Sequence, residues 1–307
     1  MSDGARPMGA KLAPYPLQRA ITRLQNERFD LLVIGGGVYG AWIACDAAQR
    51  GLAVALVEAR DWAAGTSSAS SKLVHGGLRY LEHLQLGLVR ESLHERRVLS
   101  RLAPHRVRPI RFVVPVWKSA AAGRMKLAAG LNLYDTLAGF HQPVERHGYA
   151  RRATLLRQMP WLQPTGLVGG FDYGDCQHDD ARFTLDVVAA AQSAGAACAN
   201  HLAATELLRD AGRVVGAVVH DDQTEARFEL RASAVVVAAG PWAGTFAGSA
   251  APDIERVRGA HLILPAIPGC DRALVLAAPQ DGRAFFVVPW YGRSLVGTTE
   301  SFVSADH

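Results

Sequence analysis

Phe29-Asp30-Leu31-Leu32-Val33-Ile34 runs straight into Gly35-Gly36-Gly37-Val38-Tyr39-Gly40 and then into an apolar, helix-like stretch. A second strand-like run, Ala53-Val54-Ala55-Leu56-Val57, ends at Glu58, twenty-three residues after Gly35. Strand, glycine turn, helix, strand and terminal acid together predict a dinucleotide site, where a lone GxGxxG would equally suit a tight structural turn. Gly35 is expected to permit the sharp strand exit, Gly37 to leave room for a pyrophosphate, and Gly40 to let helix and strand pack closely. The helix N-terminus would receive the phosphates, and the Glu58 carboxylate would accept hydrogen bonds from ribose hydroxyls. This motif does not separate FAD from NAD, because both carry the same adenylate half.

The next segment, Thr66-Ser67-Ser68-Ala69-Ser70-Ser71-Lys72-Leu73-Val74-His75-Gly76-Gly77-Leu78-Arg79-Tyr80-Leu81-Glu82, is too rich in small polar residues for a core helix and too specific for a plain linker. It resembles the signature of the FAD-dependent glycerol-3-phosphate dehydrogenase family. The likeness takes in Tyr173-Gly174-Asp175, Asp179-Asp180-Ala181-Arg182, Ala238-Ala239-Gly240-Pro241-Trp242 and Gly297-Thr298-Thr299-Glu300. What the resemblance implies is a bound FAD, rather than NAD, that accepts a hydride from C2 of sn-glycerol 3-phosphate, yields dihydroxyacetone phosphate and passes electrons to a quinone. It assigns Thr66, Ser67, Ser70, Ser71, Lys72 and Gly240 to the FAD-binding wall and places the chemistry near His75, Arg79 and Tyr80. Those residue types suit it. A permanently charged Arg79 can clamp a phosphate, Tyr80 can supply a hydrogen bond, and His75 can contact flavin or move a proton. An exposed structural arginine and a hydrogen-bonded histidine are the competing readings.

The resemblance also implies segments beyond the last residue of this sequence: a further substrate-contacting arginine, a GGK-type stretch at the flavin and a helical C-terminal domain. A chain truncated at its C-terminus is therefore the expectation. Two further function classes stay open on the residues alone, an FAD-dependent oxidoreductase for another polyol or amino compound, and a non-catalytic FAD-binding remnant.

Composition fits a globular enzyme. The 307 residues are 49% hydrophobic, with 33 Lys and Arg against 28 Asp and Glu, and only four of those 33 are lysine. An arginine bias suits a phosphorylated substrate or an anionic lipid, while the absence of a nucleic-acid motif or concentrated basic tail argues against nucleic acid. Cys45, Cys176, Cys198 and Cys270 are spaced too widely for a metal motif or disulfide framework, which points to a reducing cytoplasmic setting. No secretory signal and no apolar span near twenty residues is legible.

The expected fold is α/β, an FAD-binding Rossmann-like domain interleaved with an antiparallel-sheet substrate domain. Residues 1–26 read as a leader, 27–105 as the first part of the FAD domain, 106–170 as a substrate-domain excursion, 171–255 as the second FAD part and 256–307 as substrate-domain strands. Helices are expected over Leu84 to Leu102, Ser119 to Leu137 and Asp180 to Ala194, with connections and short elements from His141 to Gly170. Strands are expected at Ile110 to Val116, Leu202 to Leu208, Val214 to Val219, Arg227 to Leu230, Ser233 to Ala239, Ala260 to Leu264, Ala273 to Leu276, Ala284 to Val288 and Ser294 to Gly297. The strip from Val116 through Lys118, Arg124 to Leu127 and Leu131 to Tyr134 reads either as a peripheral membrane contact at the cytoplasmic face or as core packing. Asp175, Asp179 and Asp180 are expected to form turns, a helix cap and an ion pair with Arg182, His261 to line the cavity or serve structure, and Trp242 and Trp290 to pack, with cavity contact as their alternative.

Overall fold

A near-continuous apolar run makes a strand that is buried on both faces, and Phe29–Ile34 does so at the centre of a sheet. The computed structural model describes residues 17–118, 121–140, 142–247, 255–278 and 280–303. Its elements run α1 (Ile21–Asn26), β1 (Phe29–Ile34), α2 (Val38–Gln49), β2 (Val54–Val57), β3 (Leu73–Val74), α3 (Leu86–Leu102), β4 (Arg108–Trp117) and α4 (Ala121–Ala138). Then follow β5 (Gly148–Arg151), α5 (Arg152–Gln158), β6 (Leu167–Gln177), α6 (Asp180–Ser193), β7 (Ala197–Ala199), β8 (Leu202–Asp210), β9 (Arg213–Asp221), β10 (Arg227–Val237) and α7 (Gly244–Ala247). The chain closes with β11 (Arg256–Arg258), β12 (His261–Pro265), β13 (Ala273–Ala277), β14 (Ala284–Trp290), β15 (Arg293–Gly297) and β16 (Ser301–Val303). It divides into two units, one from the described residues of Met1–Ser70 and Asp180–Ile254, the other from those of Ser71–Asp179 and Glu255–His307.

In the first unit the sheet order is β7-β2-β1-β10-β9-β8. Strands β7, β2, β1 and the second half of β10 are parallel; β9 and β8 return antiparallel. The parallel strands are mostly apolar, with Leu32, Val33 and all of Val54–Val57 buried, and α2 packs against α6, where Trp42 and Phe183 meet with ring centroids 6.2 Å apart. The two runs expected at Arg227 to Leu230 and Ser233 to Ala239 are one strand. Its first half pairs with β9 and its second, from Ala232, with β1, so the change of partner at Arg231 does not interrupt the extended backbone. Residues 17–26, read from sequence as leader, pack into this unit: Leu24 is buried in its core, and Arg19 pairs with the buried Asp221 at 2.6 Å.

In the second unit the sheet order is β12-β15-β14-β13-β4-β6-β3, with β5 also on β6, and only β13 to β4 is parallel. The long strand β6 was not expected from sequence. Gly169, Gly170 and Gly174 lower its strand propensity, yet each is fitted to a neighbour: a Cβ on Gly174 would lie 2.5 Å from Val144, and one on Gly170 would lie 2.9 Å from the Val114 carbonyl oxygen. The chain enters this unit after Ser70 rather than after residue 105 because Leu81, Val89 and Leu93 share a core with Ile110, Phe112, Tyr134 and Tyr173. It leaves after Asp179 rather than after residue 170, since β6 is bonded to β4 along its whole length. In α4, Leu131 and Tyr134 are buried in that core and Leu127 packs on it, whereas Met125 and Leu133 are exposed, so the basic-aromatic strip is divided between core and surface. The first sixteen residues of the expected leader, Ser119, His141 and the stretch from Ser304 to His307 lie outside the described residues. Among the described residues no helix is long and apolar enough to cross a membrane.

Candidate functional site: a braced glycine turn and an exposed His-Arg-Tyr segment

The glycine turn of the first unit is shaped by close backbone approach. Gly35 has φ +114°, open to glycine alone without strain, and a Cβ there would lie 2.5 Å from the Ala238 carbonyl oxygen. A Cβ on Gly40 would overlap the Gly35 carbonyl oxygen, so the first turn of α2 rides directly on the strand exit, as the sequence predicts. Gly37 is the residue before α2 and carries no side-chain cap; a Cβ there would meet only Ser67, whose Oγ lies 3.1 Å away. That hydroxyl accepts the Val38 amide at 2.9 Å, which sets the Thr66–Ser68 turn over the N-terminus of α2. The remaining first-turn amides have no intrahelical acceptor by the geometry of any helix.

Glu58 does something the sequence did not disclose. Its Oε2 accepts the Gly36 amide at 2.6 Å and its Oε1 the Arg60 amide at 2.8 Å. A carboxylate oxygen has two acceptor positions, so each retains capacity for a hydroxyl donor. Gly36 itself matters as much as its neighbours, since a Cβ there would lie 2.5 Å from the Trp62 ring. These residues form a cradle that an added Cβ at Gly37 would intrude upon, with amides for phosphates and an acid for hydroxyls, which fits an ADP moiety. Gly240 has φ +55° and nothing within 4 Å of a Cβ, and Ser70 is tied down by Asp180, whose Oδ2 accepts both its amide at 3.1 Å and its hydroxyl at 2.6 Å. Trp242 is half exposed, with Arg60 5.3 Å over its ring and Gly65 beside it.

In the second unit the predicted residues lie along one short segment. Ser71 Oγ hydrogen-bonds His261 Nε2 at 2.9 Å, and Lys72, at φ +61°, places its Nζ 5.6 Å over the Trp290 ring. Strand β3 then pairs with Gln177 and Cys176. His75, Arg79 and Tyr80 are exposed, whereas Gly76 and Gly77 between them are buried. Gly77, at φ +74°, starts a 3-10 turn over Leu78–His83.

Beneath this segment sits a buried polar cluster. The Gly76 amide donates to Tyr134 Oη at 2.8 Å and to Asp175 Oδ1 at 3.2 Å; Tyr134 donates to Asp175 at 2.9 Å. Arg96 Nη1 pairs with Asp175 Oδ1 at 2.5 Å and also donates to the Gly174 carbonyl, while Nη2 donates to Gln142 Oε1 at 2.8 Å. Burial raises the Asp175 carboxyl above the ordinary aspartate range, although Arg96 and His75 pull it down, and burial pushes the Tyr134 hydroxyl well up. Asp175 therefore lies in β6 with Arg96 as its partner; Asp180 opens α6, and Asp179 accepts the Tyr291 hydroxyl at 3.0 Å. Sequence reasoning passed over Arg96, yet a signal exists: Val89, Leu93 and Arg96 fall at i, i+4 and i+7, which puts the arginine on the buried face of α3.

Comparison with known proteins agrees with this geometry. The FAD dependent oxidoreductase (DAO) family matches residues 30–307. The chain is 43% identical over 295 residues to glycerol-3-phosphate dehydrogenase 2 of Mycobacterium tuberculosis, covering 93% of the chain and 50% of the relative. It is 37% identical to the aerobic glycerol-3-phosphate dehydrogenase of Staphylococcus saprophyticus, covering 91% and 51%. The glycerol-3-phosphate dehydrogenase of Bacillus halodurans, solved with FAD, superposes with a TM-score of 0.74 at 31% identity, covering 94% of this chain and 50% of that one. The chain thus spans about half the length of the curated relatives it matches.

Proposed function

The chain belongs to the FAD dependent oxidoreductase family, and from that premise we propose that it binds FAD and oxidises sn-glycerol 3-phosphate to dihydroxyacetone phosphate. The observation that carries the reading is likeness along nearly the whole chain to glycerol-3-phosphate dehydrogenases, joined to an exposed arginine on the His75 to Tyr80 segment. Gly35, Gly37 and Gly40 shape the phosphate turn, the first-turn amides of α2 receive the pyrophosphate, and Glu58 accepts the ribose hydroxyls. Thr66, Ser67, Ser70 and Gly240 of the first unit would line the cofactor. When bound, FAD supplies the two-electron acceptor for the hydride on substrate C2.

Arg79 offers a planar fork of donors that matches a phosphate, which favours a phosphorylated polyol over a neutral one. Tyr80 donates a hydrogen bond to the substrate, and His75 takes the C2 hydroxyl proton as the carbonyl forms. A quinone is the onward electron acceptor. Contact with a membrane surface is proposed through the exposed Met125, Leu133 and Phe140, with Arg124 and Lys126 beside them. Dye-linked turnover with sn-glycerol 3-phosphate, glycerol and a small amino acid tests the substrate: the phosphate ester alone should turn over, and Arg79→Ala should raise its KM by about 10- to 100-fold, equivalent to about 1.5–3 kcal/mol for a charged hydrogen bond. Turnover of glycerol or the amino acid at comparable rates would point to the other substrate classes.

A further inference from the structure

We propose that Arg96, Tyr134 and Asp175 are positioning residues, a buried charged network that fixes the Gly76-Gly77 turn and so sets where His75, Arg79 and Tyr80 stand. This rests on the functional reading given for those three exposed residues. The network is costly by construction. Arg96 and Asp175 are each 1% exposed, and a buried ion pair is commonly no more stabilising than apolar side chains of the same volume. Its return lies in what it grips. Tyr134 and Asp175 both accept the amide of Gly76, which follows His75 two residues past the end of β3.

The turn is held from the other directions as well. Strand β3 is bonded to β6, and that pairing brings Val74 opposite Cys176, next to Asp175. A side chain at Gly76 would overlap Leu93 and the Tyr134 hydroxyl, so the backbone lies directly on the network. Gly77 then takes a left-handed conformation, and its carbonyl accepts the Tyr80 amide at 2.8 Å. Arg79 and Tyr80 follow within that one turn.

Tyr134→Phe keeps the ring and removes the hydroxyl that joins Gly76 to Asp175. In the FAD-loaded protein, two readouts follow: hydrogen exchange of the amides from Gly76 to Tyr80, and anaerobic flavin reduction by sn-glycerol 3-phosphate. The expected result is exchange at Gly76 about tenfold faster and a limiting reduction rate about 10- to 100-fold lower, with FAD affinity unchanged. Unaltered exchange would overturn the proposal, as would faster exchange with an unaltered reduction rate. If the unsubstituted protein is not reduced by this substrate, the substrate reading falls, and exchange alone decides the positioning claim. Should Tyr134→Phe not fold, exchange in the unsubstituted protein decides: the Gly76 amide should exchange as slowly as the buried strand amides, and exchange as fast as that of an exposed turn would overturn the proposal.

Discussion

Glu58 joins two tasks at one carboxylate, since the oxygens that would meet ribose hydroxyls already hold the Gly36 and Arg60 amides. A Glu58→Gln amide keeps one acceptor oxygen and turns the other position into a donor facing an N–H, so FAD affinity should fall by about tenfold, the worth of one to two hydrogen bonds; fluorescence titration of FAD would read it. Gly40 predicts a larger effect. Gly40→Ala places a methyl on the Gly35 carbonyl oxygen, which is backbone and yields little, so urea unfolding should show a loss of about 3 kcal/mol or more, at the upper end of overpacking costs. The roles of Gly35 and Gly40 were legible in the sequence because strand, turn and helix are consecutive there. Gly36 was not, because its neighbour Trp62 is brought over it by tertiary packing. Arg96 was legible only through helical periodicity; its partners stand 46 to 79 residues away in sequence.

Helix α6 depends at its first residue on Asp180, which binds the amide and hydroxyl of Ser70 and the amide of Ala181. Asp180→Ala should therefore cost about 1–3 kcal/mol, the penalty of leaving the Ser70 donors without their acceptor, and should loosen the Ser70 backbone in hydrogen exchange; a change within a few tenths would mean the contact is idle. In α4, by contrast, Gly130 has nothing within 4 Å of an added Cβ, so Gly130→Ala should stabilise by about 0.5–1 kcal/mol through helix propensity. Elements with a strong period, α3, α6 and β1, were readable with nearly their observed ends. Strand β6 was missed because its fitness comes from Val144, Tyr149 and Val114 packing into glycine spaces, a property of the assembled sheet. Strand β10 was split in two for a related reason, a change of partner that leaves no mark on the backbone.

At the scale of the whole molecule, acid stability should follow Asp221. Burial alone would raise this carboxyl, but Arg19 together with the Gln223 amide and Thr224 outweighs burial and holds it below the ordinary aspartate range. A depressed carboxyl contributes stability that is present above its unfolded value, about 3.9, and lost as pH falls through the lower folded value. The melting temperature should accordingly drop below about pH 4, and Asp221→Asn should lower it at neutral pH while flattening that acid-side decline. The interleaving of an FAD-type α/β unit with an antiparallel-sheet unit was legible in the sequence, through the motif at one end and the run of short strands at the other. The crossing points were not, because Leu81, Val89 and Leu93 join the second unit through contacts with residues far along the chain. The most direct measurement is an anaerobic absorbance titration of the FAD-reconstituted chain with sn-glycerol 3-phosphate. Saturable bleaching of the bound flavin is predicted; firmly bound flavin that stays oxidised at every concentration of this substrate would contradict the account.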